Sequence, residues 1–349
     1  MCFKMKALVV TDYAKLELQD IPKPKVDNEK VLIKIAYCGI CGSDLPRYFE
    51  GGVHSYPQVL GHEFSGVIEE TGCGVTNLKV GDQVAVAPLV PCHKCKNCCK
   101  GLPSMCTQYS FIGSREQGAM AEYVCVPEQN CIKIPAGISL KEAAILEPLT
   151  VALHSIERIN IQAGMSVIVY GAGTIGLLTL LSLRARGAGE IIIVDLNQHK
   201  LELAKKLGAD ITINPYELEI KTFFETHELP DVVIETAGSP ITQVQAIEFV
   251  QRRGKIVYVG TCTQDIKFAP EIFEKLVRYE LEVTGSWMSY SAPFPGYEWT
   301  TGLRYMATKE IDVTPLITGL FPLEDVEKPF QEMVSKDTRH IKILYDMNA

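Results

Sequence analysis

Between residue 5 and about residue 134 the apolar positions come in short runs: KALVV (6–10), KLELQD (15–20), KVLIKIAYCGI (30–40), FSGVIEETG (64–72), DQVAVAP (82–88), AEYVCVPE (121–128) and CIKIP (131–135). Runs of this length, divided by Gly, Pro, Asn and Asp, predict an all-β unit of barrel or sandwich type. Near residue 160 the pattern changes. SVIVYG (166–171), EIIIVD (190–195), DITIN (210–214), DVVIE (231–235), GKIVYVG (254–260) and LEVTGSW (281–287) alternate with helical stretches at 174–186, 198–207, after 214, 240–250 and 271–278. Six strands alternating with helices predict an α/β, doubly wound parallel sheet. Beyond Trp287 the alternation stops, leaving the loop SYSAPFPGYEW (289–299), helices near 300–308 and 323–335, and a strand IKILYD (341–346). One strand and two helices cannot bury a core of their own, so this tail is expected to return to the β-rich unit. The expected division is a discontinuous domain of residues 1–156 and 295–349, with a second domain at 157–294.

Composition adds limits. With 47% hydrophobic and 22% charged residues the chain reads as an ordinary globular protein. A net charge of -8 disfavours nucleic acid and anionic membrane as partners. No apolar run approaches the roughly 20 residues of a membrane span, and no signal-peptide core precedes the first strand, so a cytoplasmic location is expected. Twelve cysteines without a secretory signal suggest metal ligands and free thiols rather than disulfides.

Two cysteine-bearing stretches interrupt the β-rich unit. Within a lobe at 88–107, Cys92, Cys95, Cys98 and Cys106 have the spacing of a closed four-thiolate zinc site, a structural site without an open position for chemistry. Cys99 competes with Cys98 for it, and His93, beside Cys92, is expected to face solvent. The second stretch runs from Cys41 to Glu63 and offers a thiol, the Ser43 hydroxyl, the Asp44 carboxylate and the His62-Glu63 pair, in a segment whose Gly and Pro disfavour helix. Cysteine, histidine and carboxylate suit zinc, although this stretch alone equally describes a polar loop around an inert Cys41. The seven other thiols, Cys2, Cys38, Cys73, Cys99, Cys125, Cys131 and Cys262, are expected to be buried and free.

A third motif, Gly171-Ala172-Gly173-Thr174-Ile175-Gly176, follows a strand and opens a helix. In that context it predicts a dinucleotide site: a tight turn, close approach of the pyrophosphate to the backbone, and close helix–strand packing. Asp195 ends the next strand, where a carboxylate accepts ribose hydroxyls and repels a 2′-phosphate. Leu196 and Asn197 supply no arginine for that phosphate, so NAD is expected over NADP.

A dinucleotide site, a loop of zinc-type ligands and a closed zinc lobe together suggest hydride transfer at an alcohol carbon, because an alkoxide forms at neutral pH only with a Lewis acid. GHE at 61–63, the four-cysteine lobe, GAGTIG at 171–176 and Asp195 stand in the order found in zinc-dependent medium-chain alcohol and polyol dehydrogenases, which the chain resembles along essentially its whole length. The resemblance implies a GroES-like catalytic domain, a Rossmann NAD domain, one catalytic and one structural zinc, and a dimer or tetramer. It implies Cys41 and His62 as catalytic-zinc ligands. Where the alcohol enzymes carry a second cysteine this chain has ILEPL (145–149), as in the sorbitol dehydrogenase branch, so Glu63 and Glu147 are both candidate carboxylate ligands. Ser43 would relay the substrate proton, and Asp44 would orient the His62 ring.

Further matches at CGSDLPR (41–47), GHEFSG (61–66), FIGSR (111–115), EPLTV (147–151), ETAG (235–238) and GSWM-x-YS (285–291) resemble the galactitol-1-phosphate 5-dehydrogenase subfamily. A polyol phosphate is then the expected substrate, with Arg47 and Arg115 expected at its phosphate and Trp287, Tyr290 and Tyr109 as possible cleft residues. The competing expectations are a dehydrogenase of a free polyol or amino alcohol, and, from another class, a zinc protein without catalysis.

Overall fold

A computed structural model describes residues 3–335 and 338–349, so Cys2 lies outside the described residues. The chain divides into two compact units, one of Met1–Glu147, Tyr290–Lys309 and Val313–Ala349, the other of Pro148–Ser289 and Glu310–Asp312. Among the described residues no helix is long and apolar enough to cross a membrane.

The first unit is organised on strand Lys30–Gly39, which pairs antiparallel with Glu63–Thr71, Tyr123–Pro127 and Lys342–Asp346. Its Val31, Ile33 and Ile35 are buried in a core shared with Val84, Val86, Val124, Val126 and Ile343, and Leu32 and Ala36 are buried too, so most of this strand is covered on both faces. The register sets Gly39 opposite Glu63 on one side and opposite Leu344 on the other. The end of one strand and the starts of two others therefore meet at one place, with Cys41, His62–Glu63 and Lys342 around it.

The tail differs from the sequence expectation in holding a second strand, Ile317–Pro322, parallel to Lys342–Asp346. Gly319 and the terminal Pro322 hide it from a propensity reading, although its half-buried and exposed positions alternate at first. The expected helix at 323–335 is confined to Lys328–Val334. Helix Asp44–Phe49 forms inside the stretch expected to disfavour helix. Pro46 falls in its first turn, where its missing N–H removes no helical bond.

The second unit carries a six-stranded parallel sheet in the order Ile211–Ile213, Ile191–Val194, Val167–Tyr170, Val232–Glu235, Lys255–Tyr258, Glu282–Gly285. Sequence order thus runs outward from the first strand in both directions, the doubly wound arrangement whose ligand crevice lies at the carboxyl ends of the strands. Two expected helices shrink to single turns: Ile220–Phe223 after the third strand, and Pro270–Phe273 followed by Lys275–Arg278 before the last.

The thiols expected to be buried are so only in part. Cys38 is buried, Cys125, Cys131 and Cys262 are half-buried, and Cys73 and Cys99 are exposed. Cys73 and Cys99 sit in turn and lobe segments with no apolar layer over them.

Helix Leu140–Ala143 begins with a reciprocal cap. Ser139 N–H donates to Glu142 Oε2 at 2.8 Å and Glu142 N–H donates to Ser139 Oγ at 3.2 Å, while Lys309 pairs with Glu142 Oε1 at 2.9 Å. Burial raises the Glu142 carboxyl, but the cap and Lys309 outweigh it and hold the group down at about 2. Because the folded value lies below the unfolded one, its stabilisation is complete above the ordinary carboxylate range and is lost as pH falls through about 2. Glu142→Gln is expected to cost about 1–2 kcal/mol near neutral pH, with the difference from the parent vanishing near pH 2 in urea titrations.

Candidate metal and cofactor sites

Cys41 Sγ, a His62 ring nitrogen and a Glu63 carboxylate oxygen lie within 4.8 Å of one another. Each is held by local structure. Cys41 follows the strand end at Gly39, and its sulfur accepts the Ser43 N–H at 3.5 Å. The His62 ring is buried, packs edge-on to Phe111 with centroids 5.6 Å apart, and turns Nδ1 toward Asp44 Oδ1 at 3.5 Å. That leaves Nε2 as the nitrogen for a metal, with a carboxylate behind the other, the usual support of a metal-binding imidazole. A thiolate, an imidazole and a carboxylate at this separation fit zinc.

Asp44 is fully buried, and it does more than face His62. Its Oδ2 accepts the Cys41 N–H at 3.0 Å and its Oδ1 accepts Arg47 NH1 at 3.0 Å. Burial raises the Asp44 carboxyl, but His62, Arg47 and the Cys41 amide together hold it below the usual range. Arg47 NH1 also donates to the exposed Ser43 Oγ at 2.7 Å. The guanidinium expected at a substrate phosphate is therefore engaged with the two residues that flank the ligand group.

Glu63 is fully buried and its Oε2 accepts Lys342 Nζ at 2.6 Å, while the same ammonium donates to Ile40 O at 2.9 Å. Lys342 escaped the sequence reading. Its signal was a charged residue inside the apolar run IKILYD, where both faces of the strand are buried and a charge needs a partner. Glu147 lies in the first turn of helix Leu146–Ile159, outside the close group of Cys41, His62 and Glu63. Burial, with Glu63 and Asp44 adding to it, pushes its carboxyl up to about 7 against the opposing pull of His62 and Lys342.

Arg115 is exposed and lies over the Tyr109 ring at 4.4 Å. Its FIGSR loop is fixed beside His62: a Cβ at Gly113, where φ is +86°, would strike the backbone of Gly61. Tyr290 is no cleft residue. It is buried, its hydroxyl accepts the Leu89 N–H at 3.2 Å, and its ring stacks with Phe294 and Trp299. Trp287, in the other unit, is 50% exposed.

The sulfurs of Cys92, Cys95, Cys98 and Cys106 form the second close group. Backbone N–H groups of Cys95, Cys92 and Gln108 point at these sulfurs from 3.3–3.4 Å, which favours thiolate. Amide donors, first among them that of Cys98, bring Cys95 down to about 5, whereas burial and its sulfur neighbours push Cys98 up to about 12. Four thiols that cannot all ionise together without a cation fit a closed zinc site. Cys99 Sγ instead faces Lys94 O at 3.7 Å, and His93 is exposed, contacting Gln129 and Phe294.

In the parallel sheet, Gly171 adopts φ +99° after strand Val167–Tyr170, and Gly173 caps helix Thr174–Ala185. No atom stands within 4 Å of where a Gly173 Cβ would project, whereas one at Gly176 would strike Gly171 O. The second glycine thus faces open space and the third closes the helix onto the turn, the cradle a pyrophosphate requires. Thr174 and Ile175 begin the helix. Asp195 is anchored there, Oδ2 accepting the Ala172 N–H at 2.6 Å and Oδ1 the Asn197 N–H at 2.8 Å. Each oxygen retains a lone pair for a ribose hydroxyl.

Residues 27–136 match the alcohol dehydrogenase GroES-like domain, and residues 174–306 match the zinc-binding dehydrogenase domain. Galactitol 1-phosphate 5-dehydrogenase of Escherichia coli K12 is 42% identical over 300 residues, 85% of this chain and 86% of that one. A crystal structure of the Escherichia coli galactitol-1-phosphate dehydrogenase matches with a TM-score of 0.92 at 37% identity, covering 98% of this chain and all of that one. Sorbitol dehydrogenase of Bacillus subtilis is 33% identical over 97% of this chain and 96% of its own length. An alcohol dehydrogenase from Escherichia coli CFT073, crystallised with NADH, matches with a TM-score of 0.91 at 28% identity over 99% of both chains. With its two thiol-bearing metal groups, its parallel sheet and these matches, the chain belongs to the zinc-dependent medium-chain alcohol and polyol dehydrogenases, oxidoreductases acting on CH–OH.

Proposed function

We propose that this protein is an NAD-dependent polyol-phosphate dehydrogenase that interconverts galactitol 1-phosphate and tagatose 6-phosphate. The observation that carries the reading is the Cys41–His62–Glu63 group with the exposed Ser43 hydroxyl beside it, in a chain 42% identical to a galactitol 1-phosphate 5-dehydrogenase. Cys41, His62 and a carboxylate from Glu63 or Glu147 would hold the catalytic zinc, and Cys92, Cys95, Cys98 and Cys106 the structural one. Gly171, Gly173, Thr174, Ile175, Gly176 and Asp195 would hold NAD. When bound, the catalytic zinc supplies the Lewis acidity that makes an alcohol proton removable at neutral pH.

Ser43 is the group placed to take that proton. One lone pair of its Oγ receives Arg47 NH1, leaving a second lone pair for the substrate hydroxyl. The proton Ser43 passes on must go to some acceptor other than Arg47, because a guanidinium has no lone pair to offer. Asp44 meanwhile holds the Cys41 amide, Arg47 and the His62 ring in one arrangement. Ser43→Ala is expected to lower kcat about a hundredfold with KM little changed, and Ser43→Thr to retain most activity, read in steady-state assays. Full turnover in Ser43→Ala would remove the relay role.

Arg115, on the loop packed against Gly61, is the residue proposed for the phosphate. Arg47 is no longer assigned there: Arg47→Met should lower turnover of phosphorylated and free polyols alike. The second reading, a dehydrogenase of a free polyol, draws support from that engagement of Arg47 and from the likeness to sorbitol dehydrogenase. NAD- and NADP-linked rates on galactitol 1-phosphate, galactitol, sorbitol, xylitol and threonine separate the two. The proposal expects NAD and the phosphate ester to lead by at least tenfold; equal rates on galactitol and its phosphate would favour the second reading. The same reading places the enzyme in the cytoplasm as a homo-oligomer, a dimer or a tetramer. Strand Glu282–Gly285 offers an edge for it at the end of the parallel sheet, with Val283 exposed, and a sizing measurement tests this.

A further inference from the structure

The segment from Tyr109 to Glu116 lies against a proposed metal ligand and carries a cation that no carboxylate neutralises. Its backbone is pinned: Phe111 O accepts the N–H groups of Arg115 and Glu116 at 2.9 and 3.0 Å, and Glu116 O accepts that of Gly113 at 3.0 Å. Gly113 and Gly118 let the chain lie on the backbone just before His62, since a Cβ at either position would strike Gly61 O. Phe111 meets the His62 ring edge-on. From this frame Arg115 reaches solvent. Its guanidinium is stacked over the Tyr109 ring at 4.4 Å, with NH2 donating to the Tyr109 hydroxyl oxygen at 3.4 Å. Arg47, Arg184, Arg186, Arg253 and Arg278 each face a carboxylate within ion-pair distance. Among the described residues Arg115 faces none.

We propose that Tyr109 is a positioning residue for substrate specificity: it holds Arg115 flat on its ring, so that the guanidinium presents a free edge to the phosphate monoester of the substrate. The inference rests on the polyol-phosphate reading above and adds to it the group that orients the cation. Stacking uses the face of a guanidinium and leaves its in-plane N–H groups, whose fork matches two phosphate oxygens at once. One of those N–H groups is taken by the Tyr109 hydroxyl, and no carboxylate competes for the rest. An unrestrained arginine loses rotamer freedom on binding, whereas one already stacked has lost it beforehand. A chain of net charge -8 repels a phosphate dianion at long range. A cation fixed at short range therefore matters more for the ester than for a free polyol.

The test compares the parent, Tyr109→Phe, Tyr109→Leu, Arg115→Met and the Tyr109→Leu, Arg115→Met double variant as zinc-loaded holoenzymes at saturating NAD. It reads kcat and KM for galactitol 1-phosphate, and Ki for inorganic phosphate competing with that ester. Arg115→Met is expected to raise KM and Ki roughly 10- to 100-fold, the range of a charge-assisted hydrogen bond. Tyr109→Leu is expected to raise both about fivefold with kcat little changed, the scale of an exposed cation–π contact. Tyr109→Phe keeps the ring and should raise them by no more than about twofold. In the double variant the loss of the ring should add nothing to Arg115→Met, because Tyr109 acts through that guanidinium. A merely structural tyrosine would instead lower kcat and add its full loss in the double variant; either result overturns the inference. If Tyr109→Leu does not fold, Tyr109→Met takes its place with the same expectation. A parent that prefers the ester, with variants that keep the parent KM and Ki, overturns the inference alone. A parent that turns over galactitol and its 1-phosphate equally overturns the polyol-phosphate reading, and the inference with it.

Discussion

His62→Ala is expected to leave one zinc per chain where the parent holds two, one for each of its ligand groups, and to lower kcat by about a thousandfold or more. The imidazole is buried between Asp44 and Phe111, so no surface residue can take its place. Its loss also leaves Asp44 without one of the groups that hold its carboxyl ionised. Lewis-acid assistance contributes several kcal/mol to removing an alcohol proton, and about 4 kcal/mol corresponds to that thousandfold. Metal analysis should show the loss confined to one ion, because the four-cysteine lobe shares no ligand with this group. Two zincs retained at full activity would place the chemistry elsewhere.

Cys98→Ser should remove the other zinc and unfold the lobe, whereas Cys99→Ser should change nothing beyond about 0.5 kcal/mol. The two residues are adjacent, yet Cys98 Sγ lies 3.6 Å from Cys95 Sγ, and Cys99 Sγ faces a carbonyl at the lobe's exposed side. Apart from zinc the lobe is ordered by short elements, a four-residue helix Lys96–Cys99, a single turn Pro103–Met105 and the pair Leu89–Val90 with Ser110–Phe111, and by the bonds of Ser104 and Leu89 to Tyr290. Binding of a structural zinc contributes on the order of 10 kcal/mol, more than these elements supply. Limited proteolysis should cut Cys98→Ser between residues 91 and 109 while the parent and Cys99→Ser resist. Equal resistance in all three would show that Cys98 is not a ligand.

The repeating strands and the parallel sheet were legible because short β-rich runs divided by turn residues mark one unit, and nearly continuous apolar strands alternating with helices mark the other. Strand Ile317–Pro322 was not, since Gly319 and Pro322 carry no strand preference and the pairing to Lys342–Asp346 is parallel and remote in mechanism from any local turn signal. Helix Asp44–Phe49 was hidden by reading Pro46 as a breaker, when a first-turn proline is tolerated. At the site, Cys41, His62 and Glu63 were readable as ligand types, but their support was not. Arg47 carried no mark distinguishing a phosphate contact from a tether to Ser43 and Asp44, and that choice depends on a helical turn absent from the expectation. Lys342 is some 279 positions from Glu63 in sequence; only the meeting of three strand ends in register brings them together. The capping pattern at Ser139 and Glu142 could have been found, because its spacing is local.

On the proposed function, oxidation of a polyol phosphate depends on metal held by Cys41 and His62. The most direct measurement removes that zinc in steps with a chelator and follows NADH formation from galactitol 1-phosphate and NAD against the zinc remaining. Activity should fall in proportion to the first zinc lost in this titration, with the fold intact by circular dichroism, and return when zinc is restored. Activity that persists after that zinc is gone, in a protein still folded, would contradict the account.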